Sequence, residues 1–92
     1  MEIGNALKIC RSAKKLSLEE LALVVGLSQS YLSMIESGKR KPTLLTIEKI
    51  SEALQVPTPI LFFLAAEKSE LKGLDMETTS RLSAAVLDVV RA

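Results

Sequence analysis

Between Ser17 and Pro42 the chain reads Ser-Leu-Glu-Glu-Leu-Ala-Leu-Val-Val-Gly-Leu-Ser-Gln-Ser-Tyr-Leu-Ser-Met-Ile-Glu-Ser-Gly-Lys-Arg-Lys-Pro. Two helix starts, two glycine stops and a basic loop crowd into this one run. Ser17 with Glu20 three residues on forms a capping box, and Leu16 and Leu21 stand where a hydrophobic staple would close over it. Leu18, Leu21, Ala22 and Val25 then make one apolar face. Gly26 is placed to take the positive φ that ends such a helix. Ser28 is a second N-cap, and Gly38 closes the segment it opens. A short helix, a tight turn and a second short helix leave little freedom of architecture. Further helices must cover the two inner faces.

The remaining segments supply them, and no run sustains the period-two alternation of a strand. Ile3, Ala6, Leu7, Cys10 and Ala13 form a stripe at helical spacing, with the helix ending near Lys14 and Lys15. Thr43 caps a fourth helix whose apolar positions are Leu44, Leu45, Ile47, Ile50, Ala53 and Leu54. Thr58 as N-cap with Pro59 behind it starts a fifth. Residues 60–66 are apolar on every side and are expected to be buried all round. Residues 67–74 are charged and end at Gly73. They extend the fifth helix or form a linker. Asp75 then caps a last helix with Leu82, Ala85, Val86 and Val89 on one face. The expected fold is all-α: five helices in residues 1–66, then a linker and one further helix in residues 67–92.

Composition excludes several classes of function. Among 92 residues there is no His and one Cys, so the commonest general base and metal ligand is missing and no internal disulfide or Cys-based zinc site can form. With no glycine-rich phosphate loop and no clustered carboxylates, the chain is expected to have no catalytic residue, metal or cofactor. Cys10 falls on the inner stripe as a core residue. The apolar run of residues 60–66 is far shorter than the roughly 20 residues that cross a bilayer. No signal peptide is visible, and a soluble cytoplasmic protein of a prokaryotic or phage-infected cell is expected. Net charge is +1, but residues 1–42 hold seven Lys/Arg against four Asp/Glu, and residues 43–92 five against seven. A basic front and an acidic, apolar back suit a two-ended molecule, with nucleic acid at one end and a protein partner at the other.

Residues 29–37 carry the functional expectation. At helical steps Tyr31, Leu32 and Ile35 fall on one side, and Gln29, Ser30, Ser33, Met34 and Ser37 on the other. The outer face has none of the Lys and Glu usual on a solvated helix. Its small side chains hydrogen-bond, as a helix entering a DNA major groove requires. Gln29 matches adenine N6 and N7, Ser30 and Ser33 reach bases or phosphates, and Met34 suits a thymine methyl.

Ser17 to Ala22, Gly26 to Ser28, Tyr31 to Gly38 and Lys39 to Thr43 resemble the helix-turn-helix domain of Cro and phage-repressor type regulators, the XRE family. The resemblance runs from about Ile3 to about Ala66. It implies a five-helix domain that binds double-stranded DNA as a two-fold homodimer. By position, Gln29, Ser30, Ser33 and Met34 become base contacts. Ser28, Tyr31, Ser37, Lys39, Arg40 and Lys41 become phosphate contacts, joined by backbone N–H groups at the starts of the second and third helices. It also implies an ion pair of Arg11 with Glu36 that sets the tilt of the third helix. One departure is Leu18, where phage repressors often carry a Gln that braces the first reading residue and touches a phosphate.

The reading is a sequence-specific regulator, a repressor, acting on a (pseudo)palindromic operator. Phe62, Phe63, Leu64, Leu82, Val86 and Val89 are its expected dimer interface. The alternative is a protein-interaction module, such as an antitoxin, that keeps the scaffold and engages a partner through its C-terminal region.

Overall fold

The structure, a computed structural model, describes residues 2–66 and 75–91. The expected linker of residues 67–74 lies outside the described residues. The described residues form six helices and no strand: α1 (Ile3–Ala13), α2 (Leu18–Val25), α3 (Gln29–Glu36), α4 (Leu44–Leu54), α5 (Thr58–Ala65) and α6 (Met76–Arg91).

The first four helices end alike. Each passes into a residue with positive φ, whose successor donates its N–H to the carbonyl five positions back. These bonds are Leu16 to Arg11, Leu27 to Ala22, Lys39 to Met34 and Val56 to Ser51. This is the Schellman closure, which satisfies carbonyls that a helix end leaves open. Glycine fills the left-handed position at Gly26 and Gly38, with φ of 80° and 82°. Lys15 and Gln55 fill it at the other two ends, with φ of 59° and 56°.

The starts of α2, α3 and α4 are capped by side chains. Ser17 Oγ accepts from the Glu20 N–H at 3.0 Å, and Glu20 Oε1 accepts from the Ser17 N–H at 2.9 Å. Ser28 Oγ accepts from Tyr31 N–H and Thr43 Oγ1 from Thr46 N–H. At α5 the expectation needs correction. The cap is Pro57, one residue earlier than Thr58, and Pro59 stands second in the helix. Thr58 is drawn elsewhere: its hydroxyl donates to Ser51 Oγ, and the buried Ser51 hydroxyl donates to the Val56 carbonyl. This short chain of hydroxyls seals the α4–α5 turn.

The helices enclose one core, contributed by Leu7 and Cys10 of α1, Leu21 and Ala22 of α2, Leu32 and Ile35 of α3, Ile47, Ile50 and Leu54 of α4, Leu61 of α5, and Val86 and Val90 of α6. Helix α1 is central, packing against α3, α4, α5 and α6. It touches α3 closely at Gly4, where an added Cβ would sit 2.2 Å from the Ile35 carbonyl oxygen. Burial pushes the Cys10 thiol above its ordinary pKa, so it stays protonated and behaves as a small apolar group.

Three further expectations are corrected by the packing. Helix α5 is not buried all round. Leu61 and Ala65 are covered, while Ile60, Phe62, Phe63, Leu64 and Ala66 are half-buried. Leu44 and Leu45 are exposed at the start of α4. Val86 does not face outward: it is 8% exposed and Val90 is fully covered, both within the chain's own core. The covered stripe of α6 is Val86 and Val90 with half-buried Thr79, Ser83 and Leu87 beside them. That stripe is turned by about one residue from the face defined by Leu82, Ala85 and Val89, because Val90 anchors it.

Candidate nucleic-acid interface

The site is a helix held at a fixed angle with its polar side outward. Leu32 and Ile35 are fully buried and seat α3 on the core. Gln29, Ser30, Ser33 and Ser37 are exposed on the other side. None of the Gln29, Ser30 and Ser33 side chains is engaged in a hydrogen bond among the described residues, so their donors and acceptors face solvent. Met34 is half-buried at the margin of this face. The Ser37 hydroxyl donates to the Met34 carbonyl at 3.1 Å, which closes the helix end but leaves lone pairs free.

A two-pronged ion pair joins the end of α1 to the end of α3. Arg11 Nε and the second guanidinium nitrogen donate to the two oxygens of Glu36 at 2.8 and 3.0 Å. A third donor reaches the Leu16 carbonyl at 2.8 Å. The side chains are 14% and 7% exposed, so solvent screens the pair little. The hydrogen bond to Glu36 raises the Arg11 pKa above its already high ordinary value. One guanidinium thus joins the end of α1, the turn before α2 and the end of α3.

The basic loop begins where α3 stops. The N–H groups of both Lys39 and Arg40 donate to the Met34 carbonyl, folding the loop back against the helix end. The Lys39, Arg40 and Lys41 side chains are exposed. The Arg40 guanidinium lies 5.8 Å from the centroid of the half-buried Tyr31 ring, a cation–π distance. This holds one cation beside the outer face of α3, and the sequence alone did not show it, because nine positions separate the two residues.

The helix starts differ electrostatically. A helix N-terminus attracts anions through its open N–H groups. That of α2 carries Glu19 and Glu20 in its first turn, whereas that of α3 carries no acid. Hydrogen bonds from Ser17 hold the Glu20 carboxyl below its ordinary range, so this charge persists at neutral pH. The start of α3 is therefore the more electropositive of the two, with Ser28 exposed beside it.

The geometry is that of two short helices joined by a tight glycine turn, the second presenting a polar face. The profile of the helix-turn-helix family matches residues 7–61, from within α1 into α5. The chain belongs to this helix-turn-helix family. It is similar to control protein C.MunI of a Mycoplasma species, at 41% identity over 63 residues, 67% of this chain and 85% of that protein. It is also similar to the transcriptional repressor RghR of Bacillus subtilis strain 168, at 38% identity over 69 residues, 74% of this chain. The match covers 51% of RghR, so the chain spans about half the length of that relative. Among solved structures, the restriction-modification controller protein C.AhdI from Aeromonas hydrophila matches with a TM-score of 0.64 at 39% identity, over 66% of this chain and 92% of C.AhdI.

As a helix-turn-helix protein, the chain places its sequence-predicted residues in three groups. Gln29, Ser30, Ser33 and Met34 share or border the outer face of α3. Ser28, Tyr31, Ser37, Lys39, Arg40 and Lys41 frame its two ends. Phe62, Phe63 and Leu64 lie on α5, outside both groups. Sequence reasoning missed Gly4, whose closeness to the Ile35 and Glu36 carbonyls depends on a contact between distant segments. No helix among the described residues is long and apolar enough to cross a membrane.

Proposed function

We propose that the chain is a sequence-specific DNA-binding transcriptional regulator, a repressor, that reads a (pseudo)palindromic operator with α3. The observation that carries this reading is the unengaged polar face of α3, bordered by an exposed basic loop and locked in tilt by Arg11 and Glu36. Gln29, Ser30, Ser33 and Met34 read base edges, while Lys39, Arg40, Lys41 and the start of α3 hold phosphates. Base contacts set sequence and phosphate contacts set register and salt dependence.

The protein acts as a homodimer that spaces its two α3 helices about one duplex turn apart, ~34 Å. The dimer surface joins the half-buried Phe62, Phe63 and Leu64 of α5 with the outward stripe of α6, Leu82 and Val89, which are 40% and 46% exposed. Residues 1–66 carry the DNA-binding unit, and α6 both completes its core and extends this surface.

Selection of bound sites from random duplex DNA at about 0.1 M salt tests the reading. It should return one motif with two-fold symmetry. Gln29→Ala should then relax preference at one position per half-site by about 1–3 kcal/mol. Arg40→Ala should weaken binding to all sequences alike and lower the salt slope by about one. Enrichment of no motif, or identical effects of the two substitutions on preference, would overturn it.

A further inference from the structure

The outer face of α3 does not stand alone. Leu18, the first residue of α2, is half-buried: it packs against the core cluster yet also lines an open concavity of about 380 Å³ together with Gln29, Ser30 and Ser33. The side chains around this hollow are an uncharged ring of donors and acceptors with a single branched hydrocarbon among them. The capping box of Ser17 and Glu20 brackets Leu18 in the first turn of α2, and its packing on the core holds the apolar wall in place.

We infer that Leu18 is a base-reading residue, and that it receives the C5 methyl group of a pyrimidine in the major groove. This inference rests on the DNA-binding reading of α3. Among the groups that base pairs present in that groove, the C5 methyl of thymine is the apolar one, and 5-methylcytosine carries the same methyl at the same ring position. A methyl set against Leu18 leaves the neighbouring Gln29 amide and serine hydroxyls free for polar base edges. Hydrocarbon meets hydrocarbon, and polar groups meet polar groups. A lysine or arginine in the hollow would instead favour phosphate or guanine, and none lines it. Met34 does not line it either, so any methyl contact made by Met34 is a separate one.

Leu18 thereby sets specificity by shape and hydration. Removing one methyl from such an apolar contact should cost roughly fourfold in affinity per half-site. The preference should lie at the base pair next to the one that depends on Gln29.

The test uses the full chain and the operator selected from random DNA. Each thymine is replaced singly by deoxyuridine, which removes only the C5 methyl, and each cytosine by 5-methylcytosine, which adds only that methyl. Affinities are read by fluorescence anisotropy. The expected result is one pyrimidine per half-site, adjacent to the Gln29-dependent pair, at which the methylated base binds roughly fourfold tighter than its unmethylated form. A thymine there identifies thymine as the natural ligand. A cytosine strengthened by methylation identifies 5-methylcytosine.

Leu18→Gln and Leu18→Ala should bind both forms equally, and Leu18→Met should keep the preference. The measured quantity is a ratio within one protein sample, so partial unfolding of a variant does not distort it. The deoxyuridine scan on the unaltered protein stands even if Leu18→Ala fails to fold. An enriched operator whose affinity ignores every C5 methyl overturns the inference alone, as does a methyl preference that persists in folded Leu18→Gln. A protein that enriches no operator overturns the DNA reading and this inference with it.

Discussion

Helices α1 to α4 and helices α5 to α6 are held by different physics. In the first region directional bonds set the angles: side-chain caps at the starts of α2, α3 and α4, four Schellman closures, and the Arg11–Glu36 fork. In the second region apolar contact dominates. Helix α5 has no side-chain cap, and α6 meets the core through Val86 and Val90. Directional bonds weaken steeply when geometry is wrong, whereas hydrophobic burial tolerates sliding. In the proposed function, the region that must match a rigid duplex is thus the one with its orientation specified by hydrogen bonds. The region left with Leu82, Val89 and the α5 phenylalanines partly uncovered is suited to a partner that finishes the packing.

The sharpest way to break this contrast is to remove a directional bond and look for a change in orientation. Arg11→Met strands the Glu36 carboxylate at 7% exposure. It should destabilise the fold by about 3–5 kcal/mol, measured by urea denaturation. Adding Glu36→Leu should restore most of that stability, because the buried charge is gone. The double variant should nevertheless lose operator discrimination, since no side-chain hydrogen bond then ties the end of α3 to α1. Full discrimination in a stable double variant would show that packing alone orients α3.

Gly4 tests the same contact by sterics. Gly4→Ala places a methyl against the carbonyls of Ile35 and Glu36, so α1 and α3 must part. A loss of about 1–3 kcal/mol is expected in thermal or chemical unfolding. Wild-type stability would mean that α1 slides freely over α3.

In the second region two adjacent valines separate core from interface. Val90→Ala should lower the stability of the chain by about 1–3 kcal/mol, because Val90 is fully buried. Val89→Asp should leave folding nearly unchanged and weaken self-association, read by sedimentation. Deleting residues 75–92 should do both, since α6 covers the core as well as extending the outer surface. A variant Val89→Asp that unfolds would erase the distinction between the two faces.

How legible these regions were follows from the same contrast. Local polar patterns are written in short windows. Ser17 with Glu20, Ser28 before α3, and Gly26 and Gly38 at helix ends each announce an element within four residues, and apolar stripes with Thr43, Pro59 and Asp75 mark the other helices of the all-α architecture. The Schellman ends at Lys15 and Gln55 were not legible, because the left-handed residue there is not glycine and backbone bonds alone hold it. Replacing either with Gly should relieve the strained φ and stabilise by up to about 1 kcal/mol in thermal melts. The outward face of α3 was visible from periodicity. The placement of its neighbours was not visible: tertiary packing sets Leu18 beside Gln29 and Arg40 over Tyr31. The face of α6 was misjudged because Leu82, Val86, Val89 and Val90 permit two overlapping stripes, and only packing on α1 chooses between them.

The smallest expected effect concerns the side-chain cap at the start of α6. Asp75 Oδ1 accepts from the Thr78 N–H at 2.6 Å, and this cap holds the Asp75 carboxyl below its ordinary range. A carboxyl that loses protons more readily when folded stabilises the fold above its unfolded pKa, near ~3.9, and that contribution disappears as pH falls through the lower folded value. The Thr78 amide proton should therefore shift in NMR spectra at a pH below the ordinary carboxylate range. Asp75→Asn keeps an acceptor but cannot titrate, so the shift should vanish while the α6 signals at neutral pH stay in place. An unchanged Thr78 titration in that variant would assign the proton to another group and remove the Asp75 carboxylate from the cap of α6.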